Sequence, residues 1–376
     1  MSQYSFLFLV ANTPWVSALA RVLGTDYPTH TTRFYDWLTY RRLRPKWNKP
    51  ASSHLTRSLN VWPPGYVGKL EAFLRPCLQW QVQQWHRSLQ KVSGVPPWVI
   101  APYPYSAPWV RHLPSDHLIY YNLDDYVHYQ PSRKAQILAQ ETELVERSAL
   151  TLCLAKSQVE TLQKRYPHRA KSIHHFPLGV SKDFINSDLE RSPQPNTVGY
   201  VGNLIERVDW PLVYHVARAC PDLTFVFVGG LDGFAGEVLN PRWKEERDKA
   251  IALPNVRHIG KVPQDEVTRY YWSFAINWIP YDIHHPFNQA SCPTKVMDTI
   301  ATGRPVLSTD IPECRLYPDW ISIFHSVEDA IALLRQKLGQ SSHRVKPHQQ
   351  LQHQFILQQT WQYRTKTLLS LLHQPL

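Results

Sequence analysis

Short apolar runs alternate along this chain with longer segments in which apolar residues recur at helical spacing. Such alternation predicts parallel sheets whose strands are connected by helices packed on the sheet faces. Four predicted strands lie in the first half of the chain and five in the second, and residues 174–180 predict a further strand that ends in a turn. The nine strands are Phe6–Val10, Trp98–Ala101, Leu118–Tyr121 and Thr151–Leu154, then Val198–Val201, Phe225–Val228, Val256–Ile259, Ala275–Ile279 and Val306–Ser308.

The two series predict an α/β protein with two Rossmann-like, doubly wound parallel-sheet domains that face each other across a cleft. We expect an N-terminal domain over residues 1–187 and a C-terminal domain over residues 197–352. Residues 188–196 are polar, carry two prolines and form the predicted linker. Residues 353–376 are expected to form a C-terminal helix that can pack back on the N-terminal domain. Ligands of open parallel sheets bind beyond the carboxyl ends of the strands, so we expect the chemistry there.

The composition is that of a globular protein, with 43% of the 376 residues hydrophobic and 19% charged. No apolar stretch reaches the roughly 18 to 20 residues that a membrane-spanning helix needs. The N-terminus indicates a buried strand, since it lacks the basic leader and cleavage site of a signal peptide. Five scattered cysteines fit reduced thiols in the cytoplasm. Many of the 31 prolines and 14 tryptophans lie between residues 45 and 110, where we expect irregular, loop-rich structure.

The net charge of +11 is concentrated in the N-terminal half. Residues 1–190 hold 22 Lys and Arg against 13 Asp and Glu, whereas the remainder holds 19 against 17. A basic half favours an anionic partner, and peripheral attachment to the inner face of a membrane fits it best. The densest basic stretch, Tyr40–Trp47, mixes cations with aromatic residues, although a solvated loop is the alternative. No nucleic-acid-binding module is recognisable, so nucleic acid is not an expected partner.

The stretch Ser291–Val306 has the features of a short helix with both ends marked. Ser291 or Cys292 is placed to cap it, Pro293 suits the first helical position, and Gly303 suits a left-handed C-terminal cap. A helix start offers free N–H groups to a phosphate. Lys295 adds a full charge there, and an acidic residue three positions later lies on the same helix face, suited to ribose hydroxyls.

A second stretch, Val198–Trp210, predicts a strand, a glycine loop and a helix. Gly202 permits close backbone approach, and Arg207 can bind a phosphate through two N–H groups. A simple strand–helix turn with a surface arginine is the alternative.

Together these stretches resemble the donor-binding domain of family 4 glycosyltransferases, enzymes of the GT-B fold. Gly202-Asn203 with Arg207 is similar to the opening of that domain. Residues 253–263, LPNVRHIGKVP, resemble the family's strand and loop, and residues 291–310 resemble its helix signature. The chain resembles transferases of the teichuronic-acid-biosynthesis type, and the resemblance spans about residues 98–315.

The resemblance implies a nucleoside-diphosphate-sugar donor, retention of anomeric configuration, and no requirement for a metal or other cofactor. Arg207 and Lys295 would bind the diphosphate, Asp298 the ribose, and the backbone near Lys261 and Val262 the base. The implied donor-binding residues are Gly202, Asn203, Arg207, Lys261, Val262, Ser291, Pro293, Thr294, Lys295 and Asp298.

Three positions depart from the family pattern. Ala290 stands where many members have the first of two acidic residues, a Glu that touches the transferred sugar. Asp298 replaces the more usual Glu at the second place, and Leu178 replaces a common Asn before Gly179. The identity of the sugar is therefore open.

Asp124 and Asp125 follow a predicted strand and are the candidate catalytic residues on the acceptor side. They can bind an acceptor hydroxyl or stabilise positive charge at the anomeric carbon, and the alternative is a cap for the following helix. We expect transfer of a sugar to a hydroxyl acceptor, carbohydrate or lipid-linked, in polysaccharide or glycolipid synthesis. The rival interpretations are a nucleotide-sugar epimerase on the same scaffold and an inactive nucleotide-sugar-binding subunit.

Overall fold

The computed structural model describes residues 3–45, 52, 54–185, 193–233, 240–339 and 342–373. Thirteen strands occur in these ranges: β1 Phe6–Phe8, β2 Thr29–Asp36, β3 Leu55–Trp62, β4 Trp98–Ala101, β5 Leu118–Asn122, β6 Leu150–Cys153, β7 Ile173–His175, β8 Thr197–Val201, β9 Thr224–Val228, β10 Val256–Gly260, β11 Ile276–Ile279, β12 Val306–Thr309 and β13 Ile321–Phe324.

The same ranges contain sixteen α-helices: α1 Pro14–Asp26, α2 Trp37–Leu43, α3 Glu71–Ser93, α4 Ala107–Val110, α5 Tyr126–Tyr129, α6 Lys134–Arg147, α7 Lys156–Arg165, α8 Trp210–Ala219, α9 Trp243–Ile251, α10 Val267–Ser273, α11 Pro286–Ala290, α12 Lys295–Ala301, α13 Pro312–Arg315, α14 Val327–Leu338, α15 Ser342–Leu357 and α16 Trp361–His373.

The chain divides into two compact units, each built on one sheet. The first comprises residues 1–127, 132–179 and 364–376, and the second comprises 128–131 and 180–363. The first sheet has the order β3-β2-β1-β4-β5-β6-β7 and the second β10-β9-β8-β11-β12-β13, and every strand pair in both is parallel. The prediction of two doubly wound parallel sheets is therefore confirmed.

Both sheets are buried on two faces, which explains why most of their strands are continuous apolar runs. In the first unit Leu7, Val99 and Tyr120 lie in the core with helix residues such as Leu144. In the second unit Tyr200, Phe225, Trp278 and Leu307 do the same with helix residues such as Ile300. Each core is thus formed where the helices between successive strands cover the sheet.

The expectation of irregular structure between residues 45 and 110 is wrong. That region holds β3, the 23-residue helix α3 and β4. Helix α3 includes Pro76 in its second turn, and its buried residues Leu78, Val82 and Leu89 recur at helical spacing on one side. Dense Pro and Trp content concealed this periodicity.

The single C-terminal helix expected from residue 353 is two helices, α15 and α16. Between them, the Val180 N–H donates to the Gln359 carbonyl at 2.9 Å, and the Trp361 N–H donates to the Val180 carbonyl at 3.3 Å. The Gln359 carbonyl and the Trp361 N–H therefore bond Val180 and are not available for the hydrogen bonds of a continuous helix, and α15 ends at Leu357. Residues 364–376 belong to the first unit.

The predicted domain boundaries stay a prediction. Most of the predicted linker, residues 188–192, lies outside the described residues, as do Lys46 and Trp47 of the basic stretch. Within the described ranges, no helix combines the length and apolarity needed to cross a membrane.

Candidate donor site at the carboxyl ends of β8 and β11

The second sheet reverses its strand order between β8 and β11, which are neighbours although three crossovers separate them in sequence. Ligands of doubly wound sheets bind beyond the carboxyl ends of the strands at such a switch point. The segments that follow the two strands are held together here. The Asp209 N–H donates to the Pro280 carbonyl at 2.9 Å, and the Asp282 N–H donates to the Arg207 carbonyl at 3.0 Å. The loop after β8 therefore lies directly against the loop after β11.

Arg207 is fixed in this arrangement by four side chains. Its guanidinium carbon lies 4.1 Å from the ring centre of Phe287 and 5.2 Å from that of Tyr281. Its Nε donates to Asn288 Oδ1 at 2.9 Å and its Nη2 to Ser291 Oγ at 3.3 Å. Planar stacking and neutral hydrogen-bond acceptors hold the cation without cancelling its charge.

Lys295 approaches the same tyrosine from another side. Its Nζ donates to the Tyr281 hydroxyl and lies 4.5 Å from the ring centre of Tyr281 and 4.9 Å from that of Tyr200. Only 6% of the residue is exposed. Aromatic faces attract an ammonium group through their negative quadrupole, so the two rings hold the lysine in place.

The two cations act together on the ionisation of Tyr281. Burial alone raises the pKa of this phenol and is the largest single influence, but Lys295, Arg207 and hydrogen bonds from Lys295 and Tyr200 bring the pKa below its usual 10.0. Within the described part of the chain, neither cation forms an ion pair with a carboxylate. The site therefore concentrates positive charge that its own residues do not neutralise.

Three glycines leave bare backbone beside these cations. Gly202 and Gly229 both have φ near +150°, and a Cβ on Gly229 would lie 1.9 Å from the Gly202 carbonyl oxygen. A Cβ on Gly202 would lie 3.1 Å from Lys295 Nζ, and one on Gly230 would lie 2.2 Å from Lys261 Cε. The contact of Gly229 with the Gly202 backbone requires a glycine, and it brings the ends of β8 and β9 together.

Asp298 lies one turn along α12 from Lys295. Burial raises the pKa of its carboxyl to about 7, although the attraction of Lys295 opposes that change. No hydrogen bond to this carboxyl occurs among the described residues. The Asp298 carboxyl is therefore a half-buried hydrogen-bond acceptor with no hydrogen-bond donor among the described residues.

The start of α12 differs from the expectation. The helix begins at Lys295 with Thr294 at the cap, whereas Ser291 ends the preceding helix α11 in extended backbone. The Ser291 hydroxyl donates to the Phe287 carbonyl at 2.6 Å, which ties it to α11. The predicted left-handed Gly303 is present, with φ of 69°.

The other predicted donor residues surround this centre at the same ends of the sheet. The Asn203 carbonyl accepts from the Tyr200 hydroxyl at 3.1 Å. Lys261 is exposed, and Val262 packs against Val228 and its neighbours. Pro293 is buried and Thr294 is exposed.

Asp124 and Asp125 belong to the first unit, after the carboxyl end of β5. The Asp125 N–H donates to Asp124 Oδ1 at 3.1 Å, and the Tyr126 N–H donates to the Asp124 carbonyl at 3.1 Å. Both side chains are half-buried. This is the geometry of a turn that leads into α5, and their assignment as catalytic residues stays a prediction.

The residues that organise the site, above all Tyr281, Phe287 and Asn288, were not predicted from the sequence. A usable signal was present for Tyr281, since it follows a predicted strand by two residues and therefore lies at a carboxyl end. Asn288 offered no such signal, because its role is to donate to the Arg207 carbonyl at 2.9 Å across the loops.

The chain is similar in sequence to known glycosyltransferases. A family model described as glycosyl transferase-like matches residues 207–370. The putative teichuronic acid biosynthesis glycosyltransferase TuaH of Bacillus subtilis (strain 168) is 24% identical over 221 residues, which are 56% of this chain and 53% of TuaH. The match thus spans about half of that relative's length.

Solved structures show the fold. Sucrose-phosphate synthase from Thermosynechococcus elongatus has a TM-score of 0.71 at 14% identity, with 98% of each chain covered. HepE of Anabaena, solved in complex with UDP, has a TM-score of 0.68 at 11% identity, with 98% of this chain and 99% of HepE covered. The narrower assignment to family 4 is not addressed by these matches and stays a prediction. The two parallel sheets and these solved structures show the GT-B fold, and the family model and TuaH show that this chain is similar to glycosyltransferases.

Proposed function

We propose that the protein transfers a glycosyl group from a nucleoside-diphosphate sugar to a hydroxyl acceptor. The observation that carries the proposal is the convergence of Arg207 and Lys295 on Tyr281 at the switch point of the second sheet. Two fixed cations without carboxylate partners among the described residues favour an anionic ligand of high charge, and a diphosphate is such a ligand.

The same arrangement suits the chemistry of the leaving group. In glycosyl transfer, negative charge grows on the diphosphate as its bond to the anomeric carbon breaks. Preorganised cations in a site that excludes water stabilise that charge more than they stabilise the bound donor. Arg207 is already oriented by Asn288 and Ser291, so little reorganisation is needed when the charge develops.

The groups around Arg207 and Lys295 indicate where the remaining parts of the donor bind. The bare backbone at Gly202 and Gly229 allows a phosphate to approach the main chain beside Lys295. Asp298, one turn along α12, accepts hydrogen bonds from the ribose hydroxyls. Donor class is supported by HepE structures in complex with UDP and with UDP and glucose.

The acceptor is proposed to be a carbohydrate or lipid-linked hydroxyl in polysaccharide or glycolipid synthesis, in keeping with the teichuronic acid role in the name of TuaH. We propose retention of configuration, and no metal or other cofactor. Attachment of the basic first unit to an anionic membrane surface is part of this proposal.

The test is release of nucleotide from a panel of UDP- and GDP-sugars in the absence of acceptor. Slow hydrolysis of one donor is expected. Arg207→Gln and Lys295→Met should each reduce it by about 100-fold or more, since each removes charge from the leaving-group site. Lys295→Met keeps an unbranched side chain between the two tyrosine rings, so a lower rate in this variant reports the loss of the charge and not a loss of packing.

Matched controls are Arg335→Gln and Lys249→Gln on exposed helix surfaces of the same unit. Arg335 pairs with Asp222 at 2.8 Å in solvent, and such pairs contribute little to stability. Both controls should hydrolyse donor at the wild-type rate. A new sugar isomer would instead indicate an epimerase, and donor binding without turnover would indicate an inactive binding subunit.

A further inference from the structure

Helix α3 presents a second apolar surface on the side opposite the core. Its inward side carries the buried Leu78, Val82 and Leu89. Phe73 and Trp80, seven residues apart and therefore on one line along the helix, are 82% and 66% exposed. A helix of a globular protein needs one apolar side to join its core, so the second is unexplained by folding.

The same line along α3 continues with cations. Arg87 follows Trp80 by seven residues and Lys91 follows Arg87 by four, so both lie on the outward side of the helix. Both are exposed. The outward side is thus aromatic in its first half and basic in its second.

Helix α2 has a similar composition. None of its residues is buried, and Trp37, Leu38 and Leu43 are 51%, 61% and 57% exposed. Arg41 and Arg42 lie between these apolar residues in the last turn. The Asp36 carboxylate accepts from the Thr39 N–H at 2.9 Å, which fixes the start of this surface helix.

Strand register places α2 and the start of α3 at one corner of the first sheet. Asp36, which ends β2, pairs with Trp62, which ends β3. Helix α2 starts at the next residue after Asp36, and residues 63–70 lead from Trp62 into α3. We call the exposed side chains Trp37, Leu38, Leu43, Phe73 and Trp80 the aromatic corner.

Charge around the aromatic corner is almost entirely positive. Apart from Asp36, which caps α2, the described residues from 37 to 115 contain nine Lys and Arg and a single acidic residue, Glu71. That carboxylate is buried and pairs with Arg75 at 2.7 Å. Of the fourteen exposed large apolar side chains among the described residues, nine lie between Trp37 and Val92. Exposed apolar groups and the exposed cations Arg41, Arg42, Arg87 and Lys91 therefore occur on the same two helices.

We infer that the aromatic corner docks on an anionic lipid bilayer. Tryptophan and phenylalanine enter the interfacial region of a membrane, while Arg and Lys bind anionic head groups. A second copy of the chain is disfavoured as the occupant, because like surfaces of high positive charge would face each other. The inference rests on the membrane attachment in the proposed function and assigns that attachment to one surface. Because it uses no donor-site residue, its failure can be told apart from a failure of the transferase assignment.

The experiment is co-sedimentation of the full chain with vesicles of phosphatidylcholine alone, or of phosphatidylcholine mixed with phosphatidylglycerol. Binding is expected only to the anionic vesicles and should weaken as salt is added. Arg41→Gln combined with Arg42→Gln should lower the partition coefficient by about 25-fold, about fivefold for each charge removed. Phe73→Ser combined with Trp80→Ser should remove the binding that persists at high salt.

The controls are Leu351→Ser and Lys249→Gln, which alter an exposed apolar and an exposed basic side chain of the second unit and should bind as wild type does. Donor hydrolysis without vesicles should be unchanged in every variant, which keeps a failure here distinct from a failure of the transferase proposal. Absent or variant-insensitive vesicle binding would overturn the inference. So would a dimer that Phe73→Ser and Trp80→Ser abolish, or corner-dependent binding of heparin without binding of vesicles.

Discussion

At the scale of single residues, Asp298 links the candidate donor site to the stability of the protein. Its pKa, raised by burial to about 7, exceeds the ordinary 3.8 of the unfolded chain. Between these two values the folded protein binds a proton that the unfolded chain releases. Stability in this window therefore falls as pH rises, and above about pH 7 the cost of the buried carboxylate is fully present.

Asp298→Asn removes that cost. We expect the variant to melt a few degrees above the wild type at about pH 8.5, and the gain to shrink towards zero as pH falls to about 4. Thermal unfolding without ligand across this range measures the difference. The exposed Asp265→Asn is the control and should show no such trend. A gain that is the same at both ends of the range would contradict the raised pKa.

The cations of the site were predictable from sequence, but the groups that orient them were not. Arg207 and Lys295 follow a glycine loop and a proline-marked helix, which are local patterns. Tyr281 and Asn288 matter because two loops distant in sequence are joined by backbone hydrogen bonds. Local patterns carry no information about that pairing.

At the scale of elements, buried strands were easier to predict than those at the sheet edge. Trp98–Ala101 and Phe225–Val228 are apolar because sheet and helices cover them on both sides. Strand β3 is the edge of the first sheet and β2 lies next to it, and residues such as His30, Arg33 and Arg57 in these strands are only half-buried. Their mixed composition gives neither an apolar run nor a clean alternation, so both were missed.

The junction of β8 and β9 gives a prediction at this scale. Gly229→Ala should lower the free energy of unfolding by at least about 3 kcal/mol, because its Cβ would overlap the Gly202 carbonyl and its φ is positive. Urea denaturation measures the loss.

Gly260→Ala is the matched control at the end of the next strand. Its φ is +83°, but no atom lies within 4 Å of the added Cβ. It should lose only the backbone cost of about 1–2 kcal/mol. Equal losses in the two variants would mean that the close approach of Gly229 to Gly202 does not hold the strand ends together.

At the scale of the whole molecule, the first unit is built from both ends of the chain. Helix α16 contributes residues 364–373, and the Tyr4 hydroxyl hydrogen-bonds the His373 ring at 2.8 Å from Nε2. The two rings also lie edge to face with centres 5.4 Å apart. The alternation of apolar runs and helical segments predicted the two sheets, because each sheet is built by repeating the same strand–helix–strand connection. The packing of α16 on the first unit depends instead on contacts between residues 369 positions apart, which no local pattern reveals.

This arrangement predicts that damage to α16 affects the first sheet and spares the second. Leu368 in α16 is 1% exposed, so Leu368→Ala should cost about 2–5 kcal/mol in the first unit. Hydrogen exchange followed by mass spectrometry should show faster exchange in peptides that contain β1, with peptides that contain β12 unchanged.

The reciprocal variant is Leu334→Ala in α14, whose side chain is fully buried in the core of the second unit. It should speed exchange in β12 and leave β1 as in the wild type. Equally faster exchange in both sheets of Leu368→Ala would mean that the two units unfold together. It would contradict the prediction that α16 stabilises the first unit alone.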